Sequence, residues 1–273
     1  MSSDEQDIRK LLENAERFLR QDRELYGELY LMTPPSSEST RRGPPSEADA
    51  GQTDLFGETA PALQKGKTVR EAGSGAYRYP DEPWVQASDL AQLDGMINTC
   101  VKCSLGQTRK NFVFGVGNPN AGLVLIGEAP GADEDEQGEP FVGRAGQLLN
   151  KILEAIRFRR EDVYICNILK CRPPNNREPE AEEMELCEPY LWRQLELIKP
   201  KIILCLGRVA AQALLKTNDT LGALRSRLHD FRGTTVMVTY HPAALLRNPH
   251  WKREVWEDVQ KLRKMYDDMV KGT

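Results

Sequence analysis

Four cysteines and a set of polar residues at the ends of apolar runs are the parts of this chain able to do chemistry. Cys100 and Cys103 form a Cys-x2-Cys pair, and Cys171 and Cys187 follow after 67 and 15 intervening residues. Four thiolates suit zinc or an iron–sulfur cluster equally by softness. Cys166 and Cys205 sit inside apolar runs and read as core packing, because a reduced cysteine buries as a small hydrophobe. The second set follows four short aliphatic runs. Gly127-Glu128-Ala129-Pro130-Gly131-Ala132-Asp133-Glu134 comes after Leu123-Val124-Leu125-Ile126, and Asn167 with Lys170-Cys171-Arg172-Pro173 comes after Val163-Tyr164-Ile165-Cys166. Gly207-Arg208 follows Ile202-Ile203-Leu204-Cys205-Leu206, and His241-Pro242 follows Thr235-Val236-Met237-Val238-Thr239. In an open parallel sheet the ligand site lies beyond the carboxyl ends of the strands, so these groups would share one rim.

The elements that must position them alternate. Helical periodicity predicts helices at 145–157, 180–198, 208–216 and 252–269 between the four runs. Strands alternating with helices predict an α/β fold, a three-layer αβα sandwich around a central, mostly parallel four-stranded sheet. Gly115-Val116-Gly117 precedes a strand instead of following one, which fails the dinucleotide context, and the acidic loop 127–135 lacks the Gly-Lys-Ser/Thr ending of a phosphate loop. Nucleotide-triphosphate chemistry is therefore not expected.

Charge divides the chain. Of 273 residues, the first 90 hold 11 Lys+Arg against 17 Asp+Glu, leaving 26 against 24 for the rest, so the acidity belongs to the amino-terminal part. Ile8, Leu11, Leu12, Ala15, Phe18, Leu19 and Leu25 recur at threes and fours, which predicts an amphipathic helix within residues 1–32. Residues 33–88 are rich in Pro, Gly and Ser and poor in branched aliphatics; they read as a disordered acidic linker before a domain at 89–273. No apolar run approaches the roughly 20 residues a spanning helix needs, and the amino terminus has no charged start with an apolar run. The expectation is a cytoplasmic monomer without a membrane partner, in a compartment that keeps thiols reduced.

Four motifs in order carry a family resemblance. Gly127-Glu128-Ala129-Pro130-Gly131, the run Gly138-Glu139-Pro140-Phe141-Val142-Gly143-Arg144-Ala145-Gly146, Asn167 before Lys170-Cys171-Arg172-Pro173, and His241-Pro242 with its tail resemble the family 4 uracil-DNA glycosylases over about residues 91–266. The resemblance implies excision of uracil from DNA and a [4Fe–4S] cluster held by Cys100, Cys103, Cys171 and Cys187. It also implies that Phe141 stacks on the flipped base and that His241 is the catalytic histidine.

Uracil differs from cytosine at one edge, presenting an N3–H donor beside an O4 acceptor. The carboxamide of Asn167 matches that edge, its oxygen accepting from N3–H and its NH2 donating to O4. Bond cleavage places negative charge on uracil O2, where His241 would donate a hydrogen bond. Distantly related uracil glycosylases carry an aspartate in the first loop, whereas Ala129 stands here. Glu128 is accordingly the first candidate to orient the water, and Glu134 the candidate gate against the thymine methyl. Gly127 and Ala129 would line the base pocket. The segment Ala243-Ala244-Leu245-Leu246-Arg247 suits insertion into the duplex, with Leu246 as wedge and Arg247 beside it. Arg144, Lys170, Arg172 and Arg177 are the expected phosphate contacts.

Two other readings differ in testable ways. A non-catalytic iron–sulfur nucleic-acid-binding protein would not need Asn167, Phe141 and His241 together. A uracil-DNA crosslinking relative would carry a histidine in a basic insertion after the asparagine motif, and none follows Asn167 here. In the amino-terminal part, Gln52-Thr53-Asp54-Leu55-Phe56 is similar to the short peptide with which bacterial repair proteins bind a sliding clamp. Gln52 would supply a polar contact, and Leu55 and Phe56 two apolar anchors.

Overall fold

The computed structural model describes residues 81–271. The expected amino-terminal helix, most of the expected linker and the Gln52–Leu55–Phe56 peptide lie outside the described residues.

Among the described residues six strands form one sheet: β1 (Val116–Gly117), β2 (Leu123–Gly127), β3 (Tyr164–Asn167), β4 (Ile202–Leu206), β5 (His229–Phe231) and β6 (Thr234–Thr239), in the order β1-β3-β2-β4-β6-β5. The four predicted strands are its parallel centre. The sheet is wider than predicted because β1 pairs antiparallel with β3, and β5 antiparallel with β6. These edges are two and three residues long, too short to show period-two alternation.

β2 and β4 are buried along their whole length, as strands covered on both faces must be. Alternate residues face opposite ways. Leu123, Leu125, Ile165, Leu204 and Met237 pack with the helices Arg144–Ala155 and Lys252–Lys271. Val124, Ile126, Cys166, Ile203, Cys205 and Val238 pack with Ala181–Ile198 and Arg208–Leu215. The three-layer αβα prediction holds, as does the core assignment of Cys166 and Cys205. The four predicted helices fall within two residues of their expected ends. Shorter helices at Leu90–Ile97, Ala132–Gln137, Leu221–Arg225 and Pro242–Arg247 add to them. Among the described residues no helix is long and apolar enough to cross a membrane.

The last residues expected to belong to the linker are structured. Pro83–Gln86 form a 3-10 turn, and Trp84 is buried edge-on against Tyr190, their ring centroids 4.9 Å apart. Asp89 then caps the next helix by accepting from the Gln92 amide at 2.8 Å. This segment completes a third apolar cluster that contains Leu93, Ile97, Leu169, Cys171, Cys187 and Tyr190, with Cys100 and Cys103 packed against it.

Candidate active site

The parallel register brings the strand ends together. Gly127 and Asn167 are paired neighbours on β2 and β3, and Leu206 pairs with Thr239 two residues before His241. Above them opens a cleft of about 420 Å³. Glu128, Ala129, Glu134, Phe141, Asn167, His241 and Arg247, all singled out in the sequence, line it.

Gly127 has no side chain for a spatial reason. A Cβ there would run into the Asn167 Oδ1 and the Phe141 ring, so glycine is what lets those two groups meet at the floor of the cleft. Asn167 is 2% exposed, and among the described residues its Oδ1 has no hydrogen-bond partner. A buried oxygen without a donor costs free energy unless a ligand supplies one.

Phe141 holds a φ of 53°, unusual for an aromatic residue. The surrounding contacts enforce it. Glu134 Oε1 accepts from the amides of Val142 and Gly143, each at 3.0 Å, and Oε2 accepts from Gly131 at 3.1 Å. From the other side, Arg160 donates to the carbonyl oxygens of Pro140 at 2.5 Å and Phe141 at 3.3 Å. A Cβ on Gly146 would collide with the Phe141 carbonyl. The expected gate, Glu134, therefore lines the cleft with both carboxylate oxygens already engaged, and its visible contribution is to fix the loop that presents Phe141.

His241 is the N-cap of the helix Pro242–Arg247, with Nδ1 accepting the Ala243 amide hydrogen at 3.1 Å. Burial, and secondarily the Arg247 charge, push its pKa down to about 4. The ring is thus neutral at physiological pH, and because Nδ1 is the acceptor, Nε2 carries the proton. Glu128 is half-buried, and desolvation holds it above the ordinary carboxylate range. Glu178 repels it further, while Arg208 opposes the shift. Arg208 itself pairs with Glu178 at 2.8 Å.

The predicted basic contacts divide. Arg144 and Arg247 are exposed. Arg177 is held by Glu183 at 2.6 Å and Glu180 at 3.1 Å, and Arg172 donates to Asn176 Oδ1 at 2.8 Å. Lys170 is a correction: it is 0% exposed, with Nζ donating to the Asn167 carbonyl and to Gln194 Oε1, so it reaches no phosphate. The wedge is also narrower than expected, since Leu245 is core and Leu246 packs partly against that core. His229 is structural, its Nε2 2.8 Å from the Leu224 carbonyl, and His250 is exposed.

Asn176, Glu178 and Arg160 belong to the site without having been predicted. The first two lie two and four residues after Pro173-Pro174, a turn signal after a strand that marks a rim loop. Arg160 gave no signal, because its partners lie 19 and 20 residues earlier across a helix.

The four expected ligand cysteines share one region. Cys171 and Cys187 are buried, and Cys100 and Cys103 are half-buried. Polar hydrogens face three of these sulfurs: the Tyr190 hydroxyl on Cys100 at 3.3 Å, Arg109 on Cys171 at 3.3 Å and the Lys170 amide on Cys187 at 3.4 Å. Among the described residues no three His, Cys, Asp or Glu side chains crowd one point closely enough to hold a single metal ion. The donor set, four thiols in an apolar shell with donors facing sulfur, fits an iron–sulfur cluster.

The Uracil DNA glycosylase superfamily model matches residues 114–260. A type-4 uracil-DNA glycosylase of Archaeoglobus fulgidus is 48% identical over 184 residues, which cover 63% of this chain and 92% of that protein. The type-4 enzyme of Pyrobaculum aerophilum is 46% identical over 179 residues, covering 63% and 91% respectively. That of Thermotoga maritima is 43% identical over 171 residues, covering 61% and 89%.

Proposed function

Because the chain belongs to the uracil-DNA glycosylase superfamily, with type-4 uracil-DNA glycosylases as relatives, we propose how its cleft carries out the reaction. The protein is a DNA-repair hydrolase that cleaves the N-glycosidic bond of uracil in DNA and leaves an abasic site. The base leaves the stack to be read and lies against Phe141. Asn167 Oδ1 accepts from uracil N3–H, and the amide NH2 donates to O4. Cytosine presents the opposite donor and acceptor at these positions. The observation that carries this reading is the buried Asn167 oxygen, without a partner among the described residues, in a cleft whose floor is kept open by Gly127.

As the bond breaks, the neutral His241 donates from Nε2 to O2, where negative charge develops. A preorganised donor needs no proton transfer, so its low pKa helps: a neutral imidazole keeps Nδ1 on the Ala243 amide. Glu128, as carboxylate, orients the water that adds to the sugar. Exposed Arg144 and Arg247 meet phosphates beside the cleft, with Leu246 as the partly buried wedge.

Cys100, Cys103, Cys171 and Cys187 would hold a [4Fe–4S] cluster. When bound, it supplies a cross-link between the segment 100–103, the loop after β3 and the helix Ala181–Ile198. The reading also includes a cytoplasmic location, a monomer as acting unit, and a sliding-clamp contact through Gln52, Leu55 and Phe56. That contact is checked by binding of a peptide spanning residues 48–60 against its Leu55→Ala/Phe56→Ala control. The main test is incubation with a uracil-containing oligonucleotide. Free uracil with an alkali-labile site is expected; binding without release would sink the reading, and a covalent adduct would favour the crosslinking relative.

A further inference from the structure

Lys170 is a large, fully buried side chain that no step above uses. Its Nζ donates to the backbone carbonyl of Asn167 at 2.9 Å and to Gln194 Oε1 at 2.6 Å. Gln194 is fixed in turn, its Nε2 donating to the Phe114 carbonyl at 3.0 Å and the Tyr164 hydroxyl at 3.2 Å. The Lys170 backbone is held as well: its amide faces Cys187 Sγ at 3.4 Å, and its carbonyl accepts from Val113 at 2.8 Å. On the other side of the same segment, Ile168 and Leu169 donate to the carbonyls of Gly127 and Glu128, each at 3.0 Å.

We propose that Lys170 is a positioning residue that fixes the carboxamide of Asn167 for uracil. The proposal rests on the reading of Asn167 as the uracil-contacting group. An apolar side chain would fill a buried site at lower desolvation cost, so an ammonium at this place is explained by what it donates to. A charge-assisted bond is strong in a water-free interior. It holds the Asn167 peptide from one side, while the β2 ladder holds it from the other. Cys187 and Gln194 lie seven residues apart on the helix Ala181–Ile198, hence on one face. That face contacts Lys170 at both its amide and its ammonium. The cysteine region and the uracil-reading amide are thereby joined through one side chain.

The test uses full-length protein purified with its cluster and single-turnover excision of uracil. Lys170→Met should slow excision about tenfold, roughly the effect of losing one charged hydrogen bond. Visible cluster absorbance, circular dichroism and affinity for uracil-free duplex should stay unchanged. Placed in an Asn167→Ala background, the same substitution should cost no more than about twofold, because its effect passes through Asn167. Equal losses in both backgrounds, or a full rate in Lys170→Met, would overturn the proposal. If Lys170→Met does not fold, Gln194→Met decides: a smaller loss that vanishes with Asn167→Ala supports it, and an additive loss or none overturns it. Full-rate excision by Asn167→Ala alone would instead bring down the reading of Asn167, and this proposal with it.

Discussion

The rings of Phe141 and His241 lie in contact, with centroids 5.4 Å apart and planes tilted by 32°. That separation leaves no room for a base between them. A uracil stacked on Phe141 therefore meets His241 at its edge, where a donor can reach a carbonyl oxygen. His241→Ala should leave binding of uracil-DNA nearly intact and slow excision by at least about 100-fold, the usual scale for losing one oxyanion donor. Single-turnover rates beside equilibrium binding separate the two quantities. Near-normal excision would remove His241 from the mechanism.

The protonation state of that histidine gives a second expectation. Its pKa is pushed down to about 4, first by burial and then by Arg247. On lowering pH from 8 to 5 the ring should stay neutral with its proton on Nε2, as nitrogen NMR shifts would show. Arg247→Ala removes the second cause and should raise the pKa. For stability the sign is the one for a depressed base: the unfolded chain takes up the proton first, so this group's contribution falls as pH drops below the ordinary histidine range toward 4. A ring that titrates near 6.5 would contradict the geometry at Ala243.

Asn167→Asp tests the reading edge. A carboxylate accepts but does not donate, so the bond to uracil O4 is lost while the cytosine amino group gains an acceptor. Excision of uracil should fall at least about tenfold, and discrimination against cytosine should weaken. Unchanged discrimination, measured with matched uracil and cytosine oligonucleotides, would make Asn167 a structural residue.

What could be read in advance follows physical lines. The β2, β3, β4 and β6 runs are long enough and buried enough to announce themselves, and the residues after them, Glu128, Asn167 and His241, meet in one cleft as strand-end placement requires. The helix Ala132–Gln137, Ala-Asp-Glu-Asp-Glu-Gln, has no apolar stripe and gave no signal. Lys170 misled because a lysine in a basic motif ordinarily faces solvent; its burial depends on Gln194, 24 residues later. Glu134 lines the cleft as expected, but a carboxylate in a rim loop does not disclose that three backbone amides will also claim it. Long-range pairing is the information a local pattern lacks.

The cysteine set makes a compositional prediction. Protein purified without air should be brown and hold about four iron atoms per chain. Ala in place of Cys100, Cys103, Cys171 or Cys187 should each bleach it and lower its thermal stability. Cys166→Ala and Cys205→Ala should keep the colour, because those thiols are buried in a separate, sheet-facing apolar cluster. Stoichiometric zinc without iron would replace the cluster assignment with the other metal that four thiolates accept.

Glu128 offers a pH profile whose sign can be worked out. Its carboxyl is held above the ordinary range by burial, is raised further by Glu178 and is drawn back by Arg208. If the carboxylate form orients water, excision must fall as pH drops through that raised pKa, ahead of any loss from protonating His241 near 4. Glu178→Gln removes a repelling charge and leaves Arg208 without its 2.8 Å partner, so both changes favour the carboxylate. The acid limb should then move to lower pH. Arg208→Met removes the attraction and leaves the Glu178 charge uncompensated, so the limb should move to higher pH. Glu128→Gln should lose most of the rate and the limb with it. Single-turnover rates across pH for the four proteins decide the matter. A limb that neither neighbour moves would mean that another group orients the water and that Glu128 serves only to line the cleft.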